Sequence, residues 1–372
     1  MAKRDDIDSA VIDKLGIKPF EERFPWIGGD LQTLRDTFRV EKFPYVETRN
    51  IKIKVPPLPN GNYKAGHLLT LLDLPFDSSS IRGLVLMLHG LGGSSQRQGL
   101  RRMAFAFLKA NFAVLRVNLR GAFPGRDFAG GTYSAKCCSD LKPIFIKARA
   151  ISLALINNKS YGKKEIPLIG AGISLGGTIL LNACLNKENT IDNYGTALDA
   201  LVCTSSPLDL LNCSKSIERQ RNSFYQAWLL RRLIKQTIND PFGITSHERS
   251  VLSNLKSNDL NISTIRDFDS YITAPRWGYN SVEDYYEKAS PIGGLYESIS
   301  SLPRTLFLQA IDDPWVPNEA LIKFSKSYEA ANRPDIQFVI TKKGGHNGFH
   351  GPQGCWGDNL AVSWVKSICE EI

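Results

Sequence analysis

The sequence of 372 residues lacks several features that mark specialised classes of protein. It contains no run of about 18 apolar residues, so we expect no transmembrane helix. The first residues, Met1 to Asp6, are polar, and no apolar stretch of the signal-peptide type accompanies them. Internal repeats and long low-complexity tracts are also absent from the sequence. We therefore expect a globular, cytoplasmic protein.

The seven cysteines of the chain form no recognisable framework. Their number is odd, and no Cys-x-x-Cys pair occurs. Several cysteines, such as Cys184 and Cys203, stand among apolar residues. This pattern predicts reduced, mostly buried thiols of a cytosolic protein and argues against a disulfide framework or a zinc site.

Acidic residues are fewer than basic ones, and the formal net charge is +9. Such an excess can attract nucleic acid or an anionic membrane. The lysines and arginines are dispersed, however, and acidic residues interleave with them. We therefore expect a basic surface with no nucleic-acid partner, and weak attraction to a membrane surface is the alternative.

Apolar runs and helix-like segments alternate along the chain, which is long enough for one large domain covering residues 1–372. Nearly continuous apolar strands in such an alternation predict an α/β fold, with a mostly parallel sheet buried between helices. The strands are expected at 46–55, 67–74, 84–88, 113–118, 166–171, 198–204, 305–310 and 336–341. The helices are expected at 100–110, 141–157, 178–185, 319–328 and 359–369.

Two regions depart from this alternation. Residues 1–44 have no clear periodicity, and we expect an irregular segment that wraps the body. Residues 207–301 are polar and partly helical, which predicts a helical lid inserted between two strands of the sheet. One basic, amphipathic stretch of this region contains Phe224, Trp228, Leu230, Leu233 and Ile234.

A serine stands between glycines where the strand at 166–171 meets the following helix. The stretch reads Gly172-Ile173-Ser174-Leu175-Gly176-Gly177. In a nucleophile elbow the flanking residues are small, because larger side chains would collide within the sharp turn. The helix N-terminus behind the serine favours developing negative charge. The motif predicts a serine hydrolase with Ser174 as nucleophile, and a glycine-rich turn of a Rossmann-like unit is the alternative.

A serine nucleophile needs a general base and an acid that orients the base. In folds of this class the acid and then the histidine follow the serine along the chain. Asp312 and Asp313 follow the strand at 305–310, and His346 follows the last strand, so all three reach the carboxyl edge of the sheet. We predict that His346 is the base. A loop histidine bound to a backbone carbonyl is the alternative.

Two carboxylates compete for the role of the acid. The pattern Asp-Pro-x-Val-Pro places Asp313 at the end of the strand, whereas the alternation of side chains turns Asp312 away. Asp313 is therefore the predicted acid, and Asp312 is expected to be a solvated carboxylate or a helix cap. Other histidines fit the base less well, because His67 begins an early strand and His247 lies in the lid region. His350 does not directly follow a strand and a Gly-Gly pair, as His346 does.

The reaction also needs two N–H groups that bind the oxyanion of the tetrahedral intermediate. The elbow supplies the N–H of Leu175, and the loop after the third strand supplies the other. That loop reads His89-Gly90-Leu91-Gly92-Gly93, and we predict the Leu91 N–H as second donor, with His89 bracing the loop. A phosphate-binding turn is the alternative, but the loop is not G-x-G-x-x-G and no Walker lysine follows.

The motifs together resemble those of the α/β-hydrolase superfamily and, more narrowly, of its AB hydrolase 4 (YheT-like) family. The resemblance covers nearly the whole chain. It is carried by Asp30-Leu31-Gln32-Thr33-Leu34, the 89–93 loop, Val117-Asn118-Leu119-Arg120-Gly121, the elbow, Asp312-Asp313-Pro314 and Gly344-Gly345-His346-Asn347-Gly348-Phe349. It implies the α/β-hydrolase fold with a Ser174–Asp313–His346 triad acting on short-chain or lipid-like carboxylic esters, without a metal or organic cofactor.

The sequence departs from the family pattern in two places, both expected near the substrate pocket. Asp30 replaces the histidine that commonly precedes Leu-Gln-Thr, and Tyr133-Ser134-Ala135-Lys136 replaces Tyr-x-Ser-Gly. The lid's aromatic and basic residues indicate a hydrophobic acyl group, and ordinary packing of the lid is the alternative. Two other functions stay open: acyl transfer to an alcohol by the same triad, and a non-catalytic binding protein that kept the fold.

Overall fold

The computed structural model describes residues 9–77, 80–155, 166–186, 198–253 and 262–371. An eight-stranded sheet forms its centre. The strands are β1 (Thr48–Val55), β2 (Gly66–Asp73), β3 (Leu84–Leu88), β4 (Ala113–Val117), β5 (Leu168–Ile173), β6 (Ala200–Thr204), β7 (Arg304–Ala310) and β8 (Ile336–Thr341). Their order in the sheet is β1-β2-β4-β3-β5-β6-β7-β8.

The sheet is parallel from β4 to β8, whereas β1 and β2 are antiparallel to their neighbours. The prediction of a mostly parallel sheet is therefore confirmed. All eight predicted strands are present, and their bounds differ from the predicted ones by at most two residues at either end. Because the strands that precede Ser174, the 89–93 loop, Asp313 and His346 are parallel, these four features share the carboxyl edge of the sheet.

Helices cover both faces of the sheet. They are α1 (Ser9–Lys14), α2 (Gly29–Phe38), α3 (Gln98–Lys109), α4 (Cys138–Ala154), α5 (Leu175–Leu185), α6 (Leu210–Ile217), α7 (Ser223–Ile238), α8 (Ser246–Ser253), α9 (Ile265–Phe268), α10 (Ala274–Arg276), α11 (Val282–Ala289), α12 (Pro291–Ser298), α13 (Glu319–Ser325), α14 (Tyr328–Ala331) and α15 (Trp356–Glu371). A π-helical turn, Asp269–Thr273, joins α9 to α10, and a two-stranded hairpin of β9 (His350–Gly351) and β10 (Gly354–Cys355) precedes α15.

Alternate side chains of the strands enter two separate hydrophobic cores. In β3, Leu84, Leu86 and Leu88 pack into one core with α4 and α5, whereas Val85 and Met87 pack into the other with α3 and α15. Every residue of β3 is therefore buried. Burial on both faces explains why the central strands are continuously apolar instead of alternating.

The expectation that residues 1–44 are irregular is wrong for the described residues 9–44, which contain α1 and α2; residues 1–8 lie outside the described part. The buried side chains of α2 are those of Gln32 and Arg35, so this helix has no apolar stripe that periodicity could reveal. The helix predicted at 319–328 is divided into α13 and α14, because the Ser327 side chain caps a new helix. Helix α4 begins at Cys138, and residues 156–157 of the predicted helix lie outside the described residues.

Residues 205–303 connect β6 to β7, which are neighbours in the sheet, and contain α6 to α12. We call this segment the β6–β7 connection; its residues 254–261 are outside the described part. Leu230, Leu233 and Ile234 of α7 are buried in a small core of the connection itself. Phe224 and Trp228, in contrast, are 88% and 40% exposed. The amphipathic stretch thus packs only part of its apolar surface.

Candidate active site

Ser174 occupies a strained turn between β5 and α5. Its backbone angles are φ 55° and ψ −128°, outside the regions that a residue with a side chain normally occupies. Such a conformation costs about 1–3 kcal/mol and persists only where the surroundings enforce it. The turn lifts the side chain above the carboxyl edge of the sheet, and α5 begins at the next residue.

The glycines around Ser174 are required by close approach of backbone segments. A Cβ atom on Gly172 would lie 2.3 Å from the nitrogen of Gly177, and one on Gly176 would lie 2.4 Å from the carbonyl oxygen of Leu88. Neither distance is compatible with a side chain. These glycines therefore permit the close backbone packing that the sharp turn of a nucleophile elbow requires.

His346 links Ser174 to Asp313 in a continuous hydrogen-bonded chain. The Nε2 atom of His346 lies 2.9 Å from the Oγ atom of Ser174, and its Nδ1 atom lies 2.9 Å from Oδ2 of Asp313. The His346 residue is 7% exposed, and the Asp313 side chain is fully buried. The structure thus brings together Ser174, His346 and Asp313, the three residues that the sequence motifs predicted as a triad.

The surroundings of Asp313 determine which nitrogen of His346 carries a proton. The backbone N–H groups of Trp315 and Val316 donate to Oδ1 of Asp313, at 2.8 and 3.0 Å, and Gln309 Nε2 donates to Oδ2 at 3.2 Å. A carboxylate in this position is an acceptor, so His346 Nδ1 is the donor. The Nε2 atom then has a free lone pair directed at Ser174. The Trp315 ring covers the imidazole at a centroid distance of 4.4 Å.

Asp312 does not contact the imidazole, in agreement with its predicted direction. The expectation of a solvated carboxylate or helix cap is wrong, however. Asp312 is half-buried, and its Oδ1 atom accepts a hydrogen bond of 2.9 Å from the N–H of Gly345, next to His346. Burial raises the pKa of Asp312. Its carboxylate stabilises the loop that carries His346.

The loop after β3 lies directly against Ser174. A Cβ atom on Gly90 would be 2.9 Å from Cβ of Ser174, so only glycine fits there without a shift. His89 is buried, which lowers its pKa to about 4 and keeps it neutral. Its Nδ1 donates to the Gly90 carbonyl at 2.9 Å, and its Nε2 accepts from the Leu119 N–H at 3.2 Å. His89 thus braces the loop and lies apart from the Ser174–His346 pair.

Three donors hold the carbonyl oxygen of Gly90: His89 Nδ1, the Tyr133 hydroxyl and the Gly93 N–H. The Gly90 carbonyl and the Leu91 N–H belong to the same peptide group. In a trans peptide these two groups point in opposite directions, so the Leu91 N–H points away from the three donors. The Leu175 N–H stands at the first position of α5, where a helix leaves its N–H groups without helical partners.

A cavity of about 290 Å³ opens beside Ser174 and His346. The β6–β7 connection supplies much of its apolar wall, with Leu210, Ile217, Leu229, Leu233, Ile265 and Phe268. Leu91 and Leu175 also line it. Burial raises the pKa of Asp269 in the same wall to about 6, and the Tyr286 hydroxyl donates to its carboxylate at 2.9 Å. The surface of the cavity beside Ser174 is mainly apolar.

Comparison with known proteins identifies the family of this chain. Residues 85–355, from β3 to β10, match the family model of the alpha/beta hydrolase family. The chain belongs to the alpha/beta hydrolase family. The resemblance that the sequence motifs indicated is therefore confirmed, and Ser174, Asp313 and His346 all lie within the matched residues of this hydrolase.

Relatives of this hydrolase include enzymes named for lipid substrates. Phospholipase ABHD3 of Bos taurus is 27% identical over 326 residues, which are 87% of this chain and 71% of that protein. The monoacylglycerol lipase of Saccharomyces cerevisiae is 27% identical over 300 residues, 79% of this chain and 61% of the lipase. YheT of Escherichia coli (strain K12) is 30% identical over 209 residues, 55% of this chain and 56% of YheT.

Solved structures show the same fold at low sequence identity. An esterase from Pyrococcus furiosus superposes with a TM-score of 0.51 at 14% identity, covering 90% of this hydrolase and 96% of that chain. A carboxyl esterase from Bacillus coagulans gives a TM-score of 0.51 at 14% identity, covering 87% and 100%. These similarities confirm the α/β-hydrolase fold.

One stretch of the resemblance has a structural role in this hydrolase. Arg120 is buried and forms two hydrogen bonds with the Asp140 carboxylate, at 2.9 and 2.7 Å. Asn118 accepts from the Ser95 N–H at 3.0 Å and donates to the Leu69 carbonyl at 3.1 Å. These bonds fix the loops after β3 and β4, which border the site.

Other features of the described residues bear on the expected chemistry. No group of three or more His, Cys, Asp or Glu residues in the described ranges is arranged to hold a metal ion. All seven cysteines are described, and none forms a disulfide bond. Four of the seven are buried, in agreement with the prediction of mostly buried thiols. No helix within the described ranges has both the length and the apolarity needed to cross a membrane.

Proposed function

We propose that this hydrolase cleaves carboxylic esters through a serine mechanism. Ser174 is the nucleophile, His346 the general base and Asp313 the acid that orients the base. The observation that carries the proposal is the hydrogen-bonded chain from Ser174 Oγ through His346 to Asp313, with both distances at 2.9 Å, beside an apolar cavity. The same geometry is the recurring arrangement of acyl-transfer enzymes.

In the proposed reaction, His346 Nε2 takes the proton of Ser174 as the Oγ atom attacks the ester carbonyl carbon. The N–H groups of Leu175 and Leu91 stabilise the oxyanion, and such a donor lowers the barrier by about 3 kcal/mol. His346 then protonates the departing alcohol, which leaves an acyl-enzyme on Ser174. A water molecule activated by His346 releases the acid by the same steps in reverse, while Asp313 stabilises the imidazolium.

The proposed substrate is an ester with a hydrophobic acyl group, and the proposed lid is residues 207–301. The apolar wall that α6, α7 and α9 contribute to the cavity supports both statements. The names of the relatives, a phospholipase and a monoacylglycerol lipase, support a lipid-like ester. The lid also contacts the site loops, because Arg232 donates to the Gly92 carbonyl and Asn222 donates to the Pro314 carbonyl.

A fluorophosphonate probe, which reacts with activated serines, tests the proposal. We expect the probe to label the wild-type protein and Ser367→Ala, but not Ser174→Ala; Ser367 lies on α15, away from the cavity. A panel of p-nitrophenyl esters of increasing acyl length then shows whether the cavity favours longer chains. Absence of labelling and turnover in the folded wild type would contradict the proposal. Product analysis with added alcohol separates hydrolysis from acyl transfer.

A further inference from the structure

The Leu31-Gln32-Thr33 stretch precedes the residues that match the family, yet it touches the loop that carries His346. Thr33 lies on α2, 313 positions before His346 in the sequence. Its side chain lines the same cavity as Ser174. The proposed mechanism assigns no role to this stretch.

Thr33 makes two hydrogen bonds that fix its hydroxyl group. The hydroxyl proton is donated to the Gly29 carbonyl at 2.6 Å, within α2. The hydroxyl oxygen accepts the backbone N–H of His346 at 2.8 Å. Since the single proton is committed to Gly29, the oxygen lone pairs face His346. The bond therefore acts on the backbone of the residue whose side chain contacts Ser174.

The His346 loop has a conformation that needs external support. Asn347 and Phe349 have φ angles of 57° and 50°, in the left-handed region that residues with side chains rarely adopt. The N–H of Asn347 donates to the Ser205 hydroxyl at 3.1 Å on the side of β6. Helix α2 supplies a second support, because Thr33 accepts the N–H of His346.

Helix α2 also matches the shape of the loop. A Cβ atom on Gly345 would lie 2.3 Å from the Gly29 carbonyl oxygen, and one on Gly348 would lie 2.7 Å from that of Gln32. The Gln32 side chain accepts from the His350 N–H at 2.7 Å and donates to the His350 carbonyl at 3.1 Å. The loop is thus in direct contact with α2 on both sides of His346.

We infer that Thr33 is a positioning residue for the general base of this hydrolase: its hydroxyl oxygen holds the His346 backbone so that Nε2 stays within 2.9 Å of Ser174 Oγ. The inference rests on the proposed function, in which His346 takes the proton from Ser174. Displacement of a catalytic group by about 1 Å can lower a rate about 100-fold. Loss of the hydroxyl therefore reduces the rate of the chemical step more than it reduces substrate binding.

The test compares Thr33→Val and Thr33→Ala, which lack the hydroxyl, with Thr33→Ser, which keeps it. Thr237→Val is the matched control, because Thr237 Oγ1 also donates to a carbonyl four residues earlier in a helix, at 2.9 Å, and lies outside the cavity wall. With a soluble ester, we expect both hydroxyl-free variants to lose about 10- to 100-fold in kcat with little change in KM. Thr33→Ser recovers most of that loss, and Thr237→Val retains the wild-type kcat.

A second measurement does not depend on turnover. The proton NMR signal of the His346 Nδ1–H reports its hydrogen bond to Asp313, and we expect it to shift or broaden in Thr33→Val and Thr33→Ala but not in Thr237→Val. A folded Thr33→Val or Thr33→Ala with wild-type kcat and an unchanged signal would overturn the inference. A wild type without turnover would contradict the proposed function, whereas the NMR comparison would still decide whether Thr33 positions His346.

Discussion

The hydroxyl group of Tyr133 donates a hydrogen bond of 3.0 Å to the carbonyl oxygen of Gly90. The same hydroxyl accepts one of 2.8 Å from the Gly92 N–H, so a single side chain binds both sides of the turn that contains Leu91. Burial raises the pKa of Tyr133, which keeps its proton in place for the first of these bonds. The orientation of the proposed Leu91 donor therefore depends on a residue outside the triad.

Removal of this hydroxyl should weaken catalysis without unfolding the protein. We expect Tyr133→Phe to lower kcat by about 10-fold or more, because one of the two proposed oxyanion donors loses its fixed direction. Steady-state kinetics on a soluble ester measure the effect. Tyr45→Phe is the control, since Tyr45 is 89% exposed. A folded Tyr133→Phe with the wild-type kcat would show that Leu91 needs no such support.

The two adjacent carboxylates should respond differently to the same substitution. In Asp313→Asn an amide replaces the acceptor of the His346 Nδ1–H, and we expect kcat to fall by about 10⁴-fold, as for other triads that lose the correct tautomer. Asp312→Asn keeps an oxygen that can accept from the Gly345 N–H and does not touch the imidazole, so it should cost much less. Steady-state kinetics of both variants on one ester measure the two effects on kcat. An equal or larger loss of kcat in Asp312→Asn would reverse the assignment of the acid.

Gly90→Ala tests the close approach of the 89–93 loop to Ser174. The added Cβ would lie 2.9 Å from Cβ of Ser174, so the serine or the loop must move, and we expect kcat to fall by about 10-fold or more. Gly293→Ala is the control, because a Cβ there meets nothing within 4 Å. That variant should keep wild-type activity and gain about 0.5–1 kcal/mol of stability in α12. Unchanged kinetics in Gly90→Ala would mean that the loop is more adaptable than its contacts indicate.

The neutral His89 makes stability depend on pH. Burial lowers its pKa to about 4, and the nearby Arg97 guanidinium acts in the same direction. Between about pH 6.5 and pH 4 the unfolded chain therefore binds a proton at this site that the folded protein does not bind. The free energy of unfolding is highest above pH 6.5 and decreases as the pH falls, by on the order of 3 kcal/mol from this group.

Urea unfolding of the wild type and His89→Gln at pH 7 and pH 4.5 measures this contribution. Glutamine can keep an acceptor for the Leu119 N–H but does not titrate in this range. We expect His89→Gln to be less stable at pH 7 and to lose less stability on acidification. Burial also lowers the pKa of His350, to about 2, but that residue contributes equally to both proteins. Identical pH dependence of the two proteins would contradict the assignment of a neutral His89.

Much of the site could be predicted because its reactive residues stand in short motifs that are recognisable in the local sequence. Ser174, Asp313 and His346 each follow an apolar strand, and parallel strands bring their carboxyl ends to one edge of the sheet. The direction of Asp312 also follows from strand alternation. Its bond to Gly345 could not be predicted, because that contact depends on how the loop after β8 folds over the end of β7.

The supporting residues were not predictable from local patterns. Thr33 and Tyr133 act on partners 313 and 43 positions away, and hydrophobic periodicity contains no information about such polar contacts. Helix α2 was missed for a related reason, since it buries Gln32 and Arg35 instead of an apolar stripe. Only the resemblance to the family indicated that Leu31-Gln32-Thr33 and the stretch that begins at Tyr133 lie near the site.

The hydrogen bond between Thr33 and His346 has an evolutionary consequence. The two residues stand near opposite ends of the chain, so a genetic crossover anywhere between them separates the hydroxyl of one parent from the histidine loop of the other. Gly345 and Gly348 pack against α2 without space for a side chain, which makes a mismatched pair costly. Recombinants of related hydrolases that exchange α2 together with the loop at 344–350 should therefore survive selection more often than those that exchange either segment alone.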